Sequence, residues 1–275
     1  MRSVKERLPL SLITGLVLVG SLAATAALSI FWLPYKLDDT SGGRLSAPST
    51  MHLLGTDKLG RDLLSRIMLG ARIALSVGLS SVLIGALLGV TFGVLAGFAQ
   101  RWLDESLSAL LDILIAFPTL LLAMLIVAGK GSSLSSAILA IGLGMSAIVA
   151  RLTRLLVKKV LTQDFITASR TSGTSWSRII AIHILPNIWP TLLINLALQF
   201  GLAGLTEASL SYLGLGSPPP NASWGSLLQE AQASVLVSPI AAIAPGVCLV
   251  ALVIGVNLIA DGLRGMGDPT LRQTQ

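Results

Sequence analysis

Residues 73–100 read IALSVGLSSVLIGALLGVTFGVLAGFAQ, an apolar run without a charged side chain that ends at Arg101. About 20 such residues carry an α-helix across the hydrocarbon core of a bilayer. Outward from it, windows 8–35, 113–129, 131–150, 179–206, 208–229 and 231–260 are charge-free as well. With 73–100 that makes seven, and six roughly meet the length and composition of a span. The exception, 208–229, holds Gly214, Gly216 and Pro218-Pro219-Pro220, which a regular helix does not tolerate. Over the whole chain of 275 residues only 12% are charged and 53% are apolar, whereas a soluble domain carries about 25% charged residues. The reading is an all-α polytopic membrane protein with about six transmembrane helices, at 9–33, 73–99, 107–129, 133–151, 187–208 and 239–260. A soluble enzyme, a nucleic-acid binder and a β-barrel are excluded, although the net charge is +6.

The amino-terminal stretch is basic from Arg2 to Arg7 and then apolar to Leu33. A cleaved signal has an apolar core of about 7–15 residues, so this longer one reads as a retained span, with cleavage near Ala24-Thr25-Ala26 as the alternative. Phe31, Trp32 and Tyr35 fit an interfacial aromatic anchor at its outer end. With a cytoplasmic amino terminus, 12 lysines and arginines fall inside and 7 outside, which is the expected bias. Both termini are then cytoplasmic. The chain divides into residues 1–72, the first span with an outer segment, and 73–275, the remaining transmembrane bundle with an inner loop at about 151–186. A lone Cys248 in an apolar run reads as a core residue.

The inner loop carries six basic residues and one acid, Asp164. Part of that is the ordinary cytoplasmic anchor, yet an anchor needs no large apolar groups. Phe165, Ser169, Ser172 and Trp176 recur near i, i+4, i+7 and i+11, one helical face. A helix broken at Gly173 and stopped before Pro186 would present that face either to a soluble partner or to the lipid surface; the pattern leaves both open.

The order of motifs is more specific. Asp164-Phe165-Ile166-Thr167-Ala168-Ser169-Arg170-Thr171-Ser172-Gly173, followed by Ile184-Leu185-Pro186-Asn187, resembles the cytoplasmic loop of ATP-binding-cassette importer permeases. In that family the pattern is Glu-Ala-Ala, three residues, Gly, then a distal Ile-x-Leu-Pro. Ala168, Gly173, Ile182 or Ile184, and Pro186 fit it; Thr167 stands for the glutamate and Ser169 for the second alanine. The stretches His52 to Arg66, Ser209 to Gly216 with Pro218-Pro219 and Trp224-Gly225, and Asn257 to Arg264 with Asp268-Pro269 are similar to segments of the peptide, nickel and opine permeases, most of all their second permease subunit. The resemblance covers roughly 52–270. It implies docking of an ATPase on Phe165, Thr167, Ala168, Ser169, Gly173, Trp176 and Pro186.

Other residues are read on their own terms. Asp57 can cap a turn between Gly55 and Gly60, and Asp62 and Arg66 are spaced i, i+4 for a short helix leading into the second span; the outer segment is either a solvated cap or a docking surface for a substrate-delivering protein. Gly85, Gly89, Gly93 and Gly97 form a four-residue repeat, a close helix–helix seam in lipid. Asp112 and Glu207 are candidates for the translocation path against a structural role at helix ends, Pro118 should kink the third span, and Asn195 and Asn257 read as interhelical hydrogen-bonders.

No phosphate loop is present, since Gly129-Lys130-Gly131 lacks the required glycine and hydroxyl residue. The chain therefore hydrolyses no ATP. His52 and His183 lie on opposite sides of the membrane and share no metal. A stand-alone carrier or channel and an intramembrane enzyme are weaker alternatives, with neither an inverted repeat nor a nucleophile–base pair. The resemblance implies a bacterial inner-membrane permease that forms a path with a second permease subunit, with ATP and Mg bound by two ATP-binding subunits and ligand brought by an extracytoplasmic binding protein. The substrates implied are dipeptides or oligopeptides, nickel free or chelated, or opines; Thr167 and the short amino terminus lean towards nickel.

Overall fold

The computed structural model describes residues 9–267. Arg2, Lys5 and Arg7 and, at the other end, Arg272 and Asp268-Pro269 lie outside the described residues. Ten α-helices follow one another: α1 Leu10–Phe31, α2 Leu63–Gly97, α3 Arg101–Ala116, α4 Thr119–Lys130, α5 Leu134–Leu161, α6 Asp164–Thr171, α7 Trp176–Ile179, α8 Leu185–Tyr212, α9 Trp224–Ala231 and α10 Ile240–Gly267. A π-helical turn, Ile180–Ile184, joins α7 to α8, so one uninterrupted rod runs from Trp176 to Tyr212.

Among the described residues, five helices are long and apolar enough to cross a membrane, and α3 with α4 makes a sixth, broken span. The fold class is as read, but span ends differ. The second begins at Leu63 rather than 73, so the division at residue 72 falls within α2. Asp62 supplies the reason: its Oδ2 accepts from the Ser65 backbone N–H at 2.8 Å, a side-chain cap on the first turn. The third is no kinked rod. Phe117 is extended (ψ 124°), as a residue before proline prefers, and α3 and α4 meet at 84° around Pro118. The fourth runs on to Leu161 because α3 supplies acids for its cations: Arg154 donates to Asp104 at 2.6 and 2.8 Å, Lys158 pairs with the same carboxylate, and Arg151 meets Asp112 at 3.0 Å.

The bundle closes on glycine. A Cβ added at Gly89 would stand 2.5 Å from Val149 Cβ, at Gly93 2.5 Å from Thr153 Cβ, at Gly97 2.6 Å from Val157 Cγ1, and at Gly85 3.1 Å from Met145 Cβ. The partner of this stripe is thus α5 of the same chain, and both residue series rise together, so α2 and α5 run parallel. The helix α1 lies antiparallel on α10, with Gly15 against Gly255 and Ile259, and Gly262 against Leu12. One apolar cluster fills the outer and middle bundle, from Leu63 and Trp224 to Met145 and Leu252. A second, made by Val157, Ile166, Ile179, Ile184, Ile188 and Leu192, sits at the inner end.

Candidate functional site

At the inner end α5 stops at Leu161, and α6 begins three residues later with Asp164 in its first turn, where an acid suits the helix dipole. Its single buried side chain is Ile166, which enters the second cluster beside Val157, Ile179 and Ile184. The Ser169 hydroxyl lies 3.2 Å from His183 Nε2, and the Phe165 ring stands 5.9 Å from that imidazole. Thr167, Ala168 and Arg170 are exposed. α6 is therefore a short helix lying on the bundle with most of its surface free.

Phe165, Ser169, Ser172 and Trp176 do not form the continuous face their spacing predicts. The helix ends at Thr171, and Gly173 turns the chain at φ +79°, a conformation that favours glycine. Phe165 and Ser169 stay together on His183. Trp176 instead opens α7, edge-on to Phe98 at 5.0 Å, with the Arg170 guanidinium 4.0 Å from its ring centroid. Nor does the helix stop before Pro186. Proline lacks the N–H that an α-helix would use at that point, and the π-helical turn absorbs the defect, with Leu185 N–H donating to the Ile180 carbonyl, so the rod continues.

At the outer end, segment 32–62 and α9 form one polar layer over the bundle. Asp57 accepts from the backbone N–H of Leu59 at 2.7 Å and of Arg61 at 3.0 Å, with Gly55 and Gly60 at φ +79° and +82°. Its Oδ2 also receives Arg61 Nε at 2.7 Å and Arg66 at 2.6 Å. Arg66, 3% exposed, forks onto both oxygens of Glu230 in α9 at 2.8 and 2.9 Å, and Arg61 adds a bond to Glu230 at 3.0 Å. Arg66 thus does not pair with Asp62, which caps α2 and takes His52 Nδ1 at 3.0 Å. Burial pushes the Asp57 carboxyl up, but the N–H groups of Arg61 and Leu59 and the two guanidiniums outweigh it and hold it below its ordinary range. Burial opposes the Glu230 charge as well, and Arg66 with Arg61 again leaves it lowered. Beneath the layer, Trp224 is buried and donates Nε1–H to the Ile67 carbonyl at 3.1 Å.

The two acids read as path candidates have different surroundings. Glu207 is 2% exposed and accepts from Ser211 Oγ at 2.6 Å one turn on, which places it inside packed protein. Asp112 is half-exposed beside the equally open Arg151. The amide oxygen of Asn195 is buried without a hydrogen-bond partner. No group of three metal-ligating side chains occurs among the described residues.

The partners that sequence reading missed are Asp104 and Glu230, together with the packing roles of Ile166 and His183. Glu230 carries a detectable signal, since it is the lone charge between Glu207 and Asp261. Asp104 and Ile166 carry none locally, because their partners come from other helices.

Comparison with known proteins gives the arrangement its kin. Residues 89–273 match the family described as binding-protein-dependent transport system inner membrane component. The chain is 37% identical over 261 residues to a dipeptide transport system permease protein of Alkalihalophilus pseudofirmus, covering 94% of this chain and 86% of that protein. It is 38% identical over 255 residues to a glutathione transport system permease protein of Pectobacterium atrosepticum, covering 91% and 84%. A di/tripeptide permease protein of Pseudomonas aeruginosa is 41% identical over 220 residues, covering 80% and 73%. In structure, an inward-facing form of the MetNI methionine ABC transporter superposes with a TM-score of 0.61 at 20% identity, over 73% of this chain and 95% of that one.

Proposed function

The chain belongs to the family of binding-protein-dependent transport system inner membrane components, and on that premise we propose that it forms half of an import path for small peptides. It is an integral inner-membrane permease subunit; the chemical work of ATP hydrolysis belongs elsewhere. Short peptides, of the size of dipeptides or glutathione, are the substrates its relatives' names favour. None of those names speaks for nickel, and peptides replace it as the reading of choice.

The observation that carries the mechanism is α6. An exposed helix whose only buried side chain is Ile166 fits the groove of a soluble subunit and lies against α5 and α8, both of which cross the membrane. ATP and Mg are bound by that soluble pair. Its closure on nucleotide pulls α6, and the rods lean between inward-open and outward-open packings, a rigid-body switch. A second permease subunit completes the path, and a binding protein delivers the peptide to the outer side.

Uptake of labelled alanyl-alanine, glutathione and nickel ions by cells with and without the gene tests the substrate. Loss of peptide uptake alone is the expected result; unchanged uptake of both peptides overturns the reading. Coupling is tested by Gly173→Pro, which a φ of +79° forbids. The expected variant assembles, but its ATPase ignores loaded binding protein and its transport fails. Retained stimulation with retained transport would make α6 a membrane anchor only.

A further inference from the structure

We propose that His183 is a positioning residue for coupling, and that the π-helical turn holding it sets the register between α6 and α8. This rests on the reading of α6 as the ATPase-docking helix.

Three observations meet at the turn. First, it lies near the inner end of the rod Trp176–Tyr212, just where Pro186 withholds an N–H, and it carries one residue more than an α-helical turn. An extra residue rotates everything after it by about 100° relative to a plain α-helix. The face that α8 turns into the bundle is therefore set by this turn. Secondly, His183 is the turn's contact with α6. Its Nε2 lies 3.2 Å from Ser169 Oγ, the Phe165 ring rests on it, and its carbonyl accepts from Asn187 Nδ2 at 2.6 Å in the first turn of α8. Thirdly, the isoleucines that bracket it, Ile179 and Ile184, are fully buried against Ile166 of α6.

Of the side chains by which α6 rests on the bundle, Phe165, Ile166 and Ser169 thus meet the turn or the isoleucines at its edges, and Arg170 stacks on Trp176 one turn before it. The covalent link between α6 and α7 is a poor lever by comparison. It passes through Gly173, which has nothing but its own chain neighbours within 4 Å of where its Cβ would be. A push on α6 reaches α8 through His183 and its neighbours rather than along the chain. In a plain α-helical turn the imidazole would be carried away from Ser169, and α6 would lose its polar foothold.

The test uses the complete complex in lipid vesicles, with its ATP-hydrolysing subunits, the second permease and the binding protein loaded with alanyl-alanine. Cysteine cross-linking from the exposed Thr167→Cys to the ATP-hydrolysing subunit checks the docking reading separately. For His183→Leu, we expect unchanged assembly and basal ATPase, with the ratio of stimulated to basal activity falling at least about fivefold, the low end of allosteric couplings. His183→Gln, whose amide reaches the position of Nε2, restores the ratio to within about twofold of the parent. Ser169→Ala lowers it alone and adds nothing to His183→Leu. Deletion of Ile182, an exposed residue of the turn, abolishes stimulation while Thr167→Cys still cross-links. A His183→Leu complex stimulated like the parent, with the cross-link intact, overturns the role of His183. So does a His183→Gln complex as impaired as His183→Leu. Absence of the cross-link in an otherwise unaltered complex overturns the docking reading instead, and the inference with it.

Discussion

On the outer side, Asp57, Arg61, Arg66 and Glu230 tie the segment before α2 to α9 through ion pairs of 2.6–3.0 Å, with Asp57 and Arg66 buried. On the inner side, α6 is held by one buried isoleucine, by two side-chain contacts to His183 and by the stack of Arg170 on Trp176. Both regions link distant parts of the chain, yet they are bound by different physics. Charges removed from water must keep all their partners at once, so the outer layer is stiff and moves with α2 and α9 as a unit. An apolar foothold with a single hydrogen bond changes neighbours at small cost, as suits a helix that passes motion between proteins.

The contrast breaks first at Arg66. Replacement by alanine leaves Asp57 and Glu230 with only the outer Arg61 between them, and removing one partner of a buried pair costs about 3–5 kcal/mol. The expected outcome is an outer layer detached from α9, read as a fall in thermal stability and fast cleavage of 34–62 by external protease. A stable, protected Arg66→Ala protein would mean the network is a surface ornament and the contrast false.

Acid should reach the same lock from its carboxylates. Asp57 and Glu230 are both held below their ordinary values in the folded chain. Their stabilisation is therefore complete above the ordinary carboxylate range and lost as the pH falls through the lowered values. Protease protection of 34–62 should persist from neutral pH down to about 4 and fail only below it. Failure near pH 6 would count against the network.

The inner region gives a smaller response. Ile166→Ala truncates the one buried side chain of α6, and burial losses of this kind run to about 2–5 kcal/mol, with the low end expected where the site can collapse. The expected effect is faster hydrogen exchange confined to 164–171, with the spans unchanged. Exchange that spreads into α5 or α8 would show that the inner cluster is as rigid as the outer layer.

How far the sequence told this in advance follows the same division. The absence of charge over 73–100 is a local property, and it identified the spans. The start of α2 was misplaced because Arg66 and Arg72 interrupt the pattern, while one of the two acids that make Arg66 tolerable lies 164 residues away in Glu230. The end of α5 was likewise set short at Arg151, whose partner is Asp112 on another helix. In the inner loop, Gly173 marked the turn correctly, but the supposed face to Trp176 assumed a helix that ends at Thr171. The π-helical turn had Pro186 as its only sign, and a proline read alone says that a helix ends, not that a wider turn will carry it through.

The smallest effect is expected where the chain departs from its family's pattern. Thr167, in the place of that pattern's glutamate, is exposed in the second turn of α6. Thr167→Glu buries nothing and breaks no hydrogen bond made by the hydroxyl itself, and it places an acid i, i+3 from Arg170, worth a few tenths of a kcal/mol on a helix. Arg170 is engaged with Trp176 at 4.0 Å, so the new carboxylate competes with that stack. Folding stability should therefore change by less than about 0.5 kcal/mol. What can change is affinity for the docked subunit. If the groove that receives α6 is matched to an uncharged Thr167, the added charge must be desolvated there without a partner, and binding weakens by at least about tenfold. Titration of the purified ATP-hydrolysing subunit onto vesicles bearing either form measures this, and equal affinities would mean that position 167 stays in water even when α6 is docked.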